Sequence, residues 1–179
     1  SSRLLLTQAL IGIRCTKIGG NFVVKVFDTV TDLSAQIIFA LAQCFDQITI
    51  FKPVSSRPAN AERYVICISR KPQTTHYFNL LANAARSYTD TLYLDNLFLE
   101  PLPNRYHQWL TQLNIESVDR QLHAAQNILL FLRGSQPTIP QYDIDKFLII
   151  WNLPDTPPRP KRTKDNAPPL SHETIIQIR

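Results

Sequence analysis

The sequence predicts an α/β fold, with a mostly parallel sheet that ends in an antiparallel edge hairpin and is followed by a helical region. Three observations support this prediction. Segments with helical and strand-like spacing alternate over residues 1–70. A loop at residues 53–60 separates the last two strand-like segments, which permits a hairpin. Beyond residue 70 the apolar residues recur mainly at helical spacing.

The first five elements follow from local patterns. Apolar residues at 4–13 share one helical face, and residues 21–27 are β-branched and aromatic, which predicts a buried strand. A second helix with a polar cap is predicted over 31–45. Residues 47–52 and 62–69 have the composition of two further strands.

The remainder of the chain is predicted to be helical and then extended. Four helices are predicted, over residues 76–88, 104–113, 117–133 and 141–151. Ser117 is the expected N-cap of the third, and Gly134 its expected stop. We therefore divide the chain into a core at 1–70, a helical extension packing on it at 71–153, and a proline-rich basic tail at 154–179.

Composition narrows the possible functions. Hydrophobic residues make up 44% of the chain and charged residues 18%, which is typical of a globular protein. No apolar run is long enough to span a membrane, so no membrane partner is expected. Three cysteines and four histidines show no metal-ligand spacing. The net charge of +5 is a mild bias toward a polyanion such as RNA.

The stretch FVVKVFD places Lys25 inside an apolar strand, where an ammonium needs a partner. Glu62 opens the third strand, and antiparallel pairing would bring it to the same rim as the C-terminal end of the first strand. We therefore expect Lys25 and Glu62 to meet. With another cation nearby, the pKa of such a lysine can move toward neutrality and the amine can orient or deprotonate an alcohol. The alternative is a lysine that snorkels to solvent.

The loop KPVSSRPANAERY has the composition of a contact loop for a phosphate backbone. Lys52, Arg57 and Arg63 supply cations, and Ser55 and Ser56 supply hydroxyl groups. We predict these five residues as RNA contacts. An ordinary polar hairpin loop is the alternative interpretation.

Two motifs carry a resemblance to a known family. GGNFVVKVFD and FKPVSSRPANAERYVIC, in this order, resemble the FtsJ-like ribose 2′-O-methyltransferases. The second motif is most similar to the branch that methylates the cap-adjacent ribose of messenger RNA. That branch typically has a serine where this chain has Ala61. The later stretch WNLP, residues 151–154, also resembles the close of that branch's catalytic domain.

The resemblance implies a Rossmann-like methyltransferase that uses S-adenosylmethionine and a lysine–aspartate–lysine–glutamate tetrad. Its second lysine falls on Lys25, and its closing glutamate falls on Glu62. The implied activity is RNA 2′-O-methylation, most closely of capped messenger RNA. Ribosomal or transfer RNA is an alternative substrate, and an inactive RNA-binding or scaffold protein is an alternative of another class. The implied location is the nucleus, or the cytoplasm if the source is a virus.

Parts of the family's pattern are missing from these 179 residues. The tetrad's first lysine and its aspartate are not found, and glycine occurs only at positions 12, 19, 20 and 134, so no glycine-rich cofactor loop is recognised. The chain also contains no methionine. We therefore expect it to be the C-terminal part of a longer enzyme, inactive alone, with the cofactor site upstream of Ser1. An N-terminal segment or companion chain would complete the sheet.

Overall fold

The computed structural model describes residues 2–27, 29–53, 56–88, 94, 96–135 and 144–152. Its elements are α1 (Ser2–Cys15), β1 (Phe22–Val26), α2 (Asp32–Cys44), β2 (Phe45–Phe51), β3 (Arg63–Arg70), α3 (Thr75–Ser87), α4 (Asn104–Leu132) and α5 (Ile144–Ile150). The chain divides into two compact units, Ser1–Ile139 and Pro140–Arg179, and α5 belongs to the second. Among the helices that are described, none has the length and apolar content needed to cross a bilayer.

The sheet has the strand order β1-β3-β2, and β3 runs antiparallel to both neighbours. The predicted antiparallel pairing of β2 with β3 is confirmed. The expected mostly parallel sheet is not seen, because no two described strands pair in parallel, and β3 lies in the centre and not at the edge. The reason is topological: α2 returns the chain so that β2 runs in the direction of β1, and β3 fills the position between them from the opposite direction.

Helices cover one face of the sheet. Both α1 and α2 contact the strands, and α3 packs against both of these helices. Alternate strand residues point into this core and are at most 9% exposed: Val24, Val26, Ile50, Val65 and Cys67. Residues of opposite parity, such as Val23 and Phe51, are 54% and 47% exposed. Within the described residues, the other face of the sheet is therefore uncovered, and Lys25 lies on it.

Local contacts explain how α2 begins and how α1 packs on the sheet. The Thr31 hydroxyl accepts a hydrogen bond from the Ser34 amide at 3.3 Å, which caps α2. At Gly12, α1 passes so close to β1 that an added Cβ would lie 2.4 Å from Cζ of Phe22. A glycine there lets the helix approach the strand.

Helix α4 is one continuous helix of 29 residues, so the predicted break at residues 113–117 is wrong. Ser117 lies in its interior and is 7% exposed, and it does not cap a helix. No glycine or proline interrupts the segment, and Ser117 is one of the buried residues of α4. The predicted stop is confirmed, because Gly134 has a φ of 82° and the Ser135 amide donates to the Leu130 carbonyl at 3.0 Å.

Candidate active site at the rim of the sheet

The structure brings Lys25 and Glu62 together at one rim of the sheet. Nζ of Lys25 lies 2.9 Å from Oε2 of Glu62, and the two side chains are 43% and 19% exposed. The register explains the meeting: Lys25 is directly opposite Tyr64, and Glu62 immediately precedes β3. The pair is therefore accessible from solvent on the uncovered face of the sheet.

Tyr64 is a third member of this site that the sequence interpretation missed. Its hydroxyl donates to Oε1 of Glu62 at 2.8 Å, so each carboxylate oxygen has a donor. The signal was the spacing of two residues, which puts Glu62 and Tyr64 on one face of an extended chain. Phe27 adds a cation–π contact, with its ring centroid 4.9 Å from Nζ of Lys25.

The electrostatics of the pair differ from the expectation. The hydrogen bond with Glu62 raises the pKa of Lys25, and the hydrogen bonds from Lys25 and Tyr64 lower the pKa of Glu62. The shift toward neutrality that we expect with another cation nearby is not seen here, because the pKa of Lys25 is raised by Glu62. The physical reason is that a directly bonded carboxylate outweighs the small desolvation of an accessible amine. At neutral pH the site holds an ammonium and a carboxylate.

The side chain of Lys52 points into its own loop and not toward solvent. Its Nζ donates to the carbonyl of Asn60 at 2.5 Å, to that of Glu62 at 3.1 Å and to Oγ of Ser56 at 3.3 Å. Burial lowers the pKa of Lys52; the Glu62 carboxylate opposes this shift, and the charges of Arg63 and Arg120 add to it. Lys52 therefore holds the backbone of Glu62 in place, a role that the composition of the loop did not indicate.

The other predicted RNA contacts have different surroundings. Arg57 is exposed, and Ser56 is partly buried. Ser55 lies outside the described residues. The Asn60 side chain accepts from the Glu62 amide at 3.1 Å, which helps to fix the loop before β3. Of these candidates, Arg57 is the one whose charge is presented to solvent.

Arg63 does not lie in the exposed loop, so its assignment as a surface RNA contact is corrected. It is 7% exposed, and its guanidinium donates to Oγ1 of Thr29, to Oδ1 of Asn114 at 3.0 Å and to the Leu113 carbonyl at 3.4 Å. Asn114 also donates to the Thr29 carbonyl at 3.1 Å. The reason is strand parity: Arg63 has the opposite orientation to Tyr64 and points into the covered face. It joins β3 to α4 and to the chain that follows β1.

The described residues supply groups for a hydroxyl acceptor but no cradle for S-adenosylmethionine. Gly12 and Gly20 are packing positions, where an added Cβ would meet Phe22 at 2.4 Å and the Lys17 carbonyl at 2.9 Å. Gly19 and Gly134 have positive φ in turns that follow helices. None of the four lies between a strand and the helix after it, where a cofactor loop of the implied kind would be. The described residues therefore do not form a binding site that fits S-adenosylmethionine.

Comparison with known proteins agrees with the motifs. Residues 1–70 match the model of the FtsJ-like methyltransferase family. The chain is 32% identical over 164 residues to "Cap-specific mRNA (nucleoside-2'-O-)-methyltransferase 1" of Xenopus laevis, which covers 87% of the chain and 19% of that protein. The Homo sapiens protein of the same name is 32% identical over 168 residues, with 87% and 20% covered. The Drosophila melanogaster protein is 46% identical over 67 residues, or 37% of the chain and 8% of that protein.

The chain spans about a fifth of the length of the Xenopus laevis and Homo sapiens relatives. Its first 70 residues carry the family match, and they include the two strands that bring Lys25 and Glu62 together. Residues 1–70 therefore carry the similarity to the FtsJ-like methyltransferase family.

Proposed function

We propose that the chain carries the lysine–glutamate part of an RNA ribose 2′-O-methyltransferase site that acts on the cap-adjacent nucleotide of messenger RNA. The observation that supports this most directly is the 2.9 Å contact between Lys25 and Glu62, on residues that the family's motifs supply. The names of the relatives support the cap-adjacent ribose as the substrate.

In this proposal the pair positions the ribose hydroxyl. The ammonium of Lys25 donates a hydrogen bond to the 2′-oxygen, and it favours negative charge that develops there. Glu62 keeps the amine charged and aims it, while Tyr64 holds the carboxylate from its other oxygen. Lys25 orients the nucleophile through its ammonium, and as the oxygen takes the methyl group its proton passes to the solvent that reaches this exposed rim.

S-adenosylmethionine, the proposed methyl donor, requires a site that the described residues do not provide. We propose that an N-terminal segment or companion chain holds S-adenosylmethionine and covers the exposed face of the sheet. Arg57 and Ser56 would then lie beside the RNA path, with Lys52 fixing the loop that carries them.

A methyl-transfer assay tests the proposal. The chain is joined to an FtsJ-type cofactor-binding segment and given radiolabelled S-adenosylmethionine and a capped RNA. Lys25→Ala and Glu62→Gln are each expected to reduce transfer about a hundredfold or more, with RNA affinity changed less than about threefold. Lys17→Ala is the matched control, because Lys17 is an exposed lysine outside the site. Transfer that survives in both variants would contradict the assigned roles, whereas RNA binding with no transfer in any variant would identify a scaffold.

A further inference from the structure

The second half of α4 extends past the core, and its apolar side chains are exposed. Leu113 is the last apolar residue of this helix that packs against the core, and only Leu110 and Ser117 are buried. We call residues 122–132 the distal segment. Its large apolar side chains are between 43% and 74% exposed: Leu122, Ile128, Leu129, Leu130, Phe131 and Leu132. Six such side chains in one short segment form a patch of the kind that marks an interaction surface.

The apolar residues of this half of α4 follow a heptad repeat. Steps of three and four residues alternate along one exposed stripe: Ile115, Val118, Leu122, Ala125, Leu129 and Leu132. These are the a and d positions of a coiled coil, a spacing that turns one stripe toward a second helix. The first two residues also line a cavity between α2 and α4, so the stripe is free to pair from Leu122 onward. The spacing therefore fits a helical partner.

We propose that the distal segment pairs in antiparallel orientation with the same segment of a second copy of this chain. Asp119, Gln126 and Arg133 occupy the e positions of successive heptads. Because e positions face each other in an antiparallel pair, a two-fold axis near Gln126 places Asp119 of each copy beside Arg133 of the other. Both side chains are exposed, and neither has an ion pair within the described part of the chain.

A parallel pair of the same segments would not match these charges. In that orientation a g position faces the e position of the following heptad, which pairs Gln121 with Gln126 and Ile128 with Arg133. Neither pair joins opposite charges, and the second places an apolar side chain beside a guanidinium. The charge pattern is therefore complementary to itself in the antiparallel orientation, which is the property that a two-fold interface requires.

The size of the stripe predicts a weak dimer. Four apolar side chains of each copy lie at or beside the stripe and are about half exposed or more: Leu122, Ile128, Leu129 and Leu132. Two copies would bury roughly 1,000 Å² in total, which is at the low end for specific interfaces. We therefore expect a dissociation constant in the micromolar range. The pairing goes beyond the proposed function and does not depend on it.

Sedimentation equilibrium of the 179-residue chain over a series of concentrations tests the pairing. Asp119→Arg and Arg133→Asp each turn two attractive contacts into two repulsive ones, so each should weaken the dimer about tenfold. An equimolar mixture of the two variants should restore the affinity to within about threefold of that of the original chain, because every charged contact in the mixed dimer then joins opposite charges.

Two further variants separate the stripe from the rest of the surface. Leu129→Gln should weaken the dimer about tenfold or more while the monomer keeps its thermal stability, since this leucine is exposed. Arg105→Asp is the matched control and should change nothing, because Arg105 is exposed at the start of the same helix, roughly 40 Å from Arg133. A chain that stays monomeric at every concentration would overturn self-pairing. A dimer that the charge reversals leave unchanged would overturn the proposed contact, and a mixture that stays monomeric would overturn the antiparallel orientation.

Discussion

Replacing Arg63 with methionine separates its structural role from the surface role that the loop composition predicts. The guanidinium donates hydrogen bonds to Thr29 and, at 3.0 Å, to Asn114, and a long one to the Leu113 carbonyl. Each hydrogen bond to a charged donor contributes about 1.5–3 kcal/mol to stability. The substitution also removes the cost of burying the guanidinium charge, which offsets part of the loss. Methionine keeps the apolar stem, and Thr29 still donates to Asn114. We expect a loss of about 2–4 kcal/mol in the free energy of unfolding.

The measurement is urea or thermal unfolding of the whole chain. A loss of about 3 kcal/mol corresponds to a fall of about 6–12 °C in Tm for a chain of this size. Arg57→Met is the matched control, because Arg57 is exposed and its substitution should change stability by less than about 0.5 kcal/mol. If Arg63→Met is as stable as the control, the buried network does not stabilise the fold, and Arg63 is again a candidate for RNA contact.

Four further predictions concern the rim and the core. In Glu62→Gln, the pKa of Lys25 should fall toward its ordinary value, as NMR titration of Lys25 would show; an unchanged pKa would mean that the ion pair does not form. Because folding lowers the pKa of Glu62 and raises that of Lys25, the pair stabilises the fold fully between their unfolded values of 4.5 and 10.5. The stability difference from Glu62→Gln should vanish as pH falls through the folded pKa of Glu62, or rises through that of Lys25. Gly12→Ala should lower the free energy of unfolding by about 1–2 kcal/mol, because the clash of the new Cβ with Phe22 exceeds the gain in helix propensity. Adding Phe22→Leu should reverse this loss. If a double-mutant cycle of the two substitutions, measured by urea unfolding, shows no coupling, the close approach of α1 to β1 is contradicted. Burial raises the pKa of Cys67 to about 12, so at pH 8 a thiol reagent should modify it about a thousandfold more slowly in the folded chain than in urea, and equal rates would contradict its burial.

The spacing of hydrophobic residues and the direction of the strands made much of the secondary structure of the first 70 residues predictable. The helix and strand positions and the antiparallel pairing of β2 with β3 follow from local patterns and one short loop, and the Gly134 stop farther along the chain follows in the same way. The meeting of Lys25 with Glu62 was also predictable, because antiparallel pairing puts the start of β3 beside the end of β1. The charge state of Lys25 was not, since it depends on how directly Glu62 is bonded and how much solvent reaches the amine.

The amino-acid sequence by itself therefore determined which residues form strands and which chemical groups meet at the rim, because both depend on alternation and on neighbouring residues. Only the tertiary structure decided that β3 lies between β1 and β2, that Arg63 points toward α4, and that Lys52 closes on its own loop. These outcomes depend on contacts between residues far apart in the chain, where burial and hydrogen bonding select one arrangement among several that the local pattern permits.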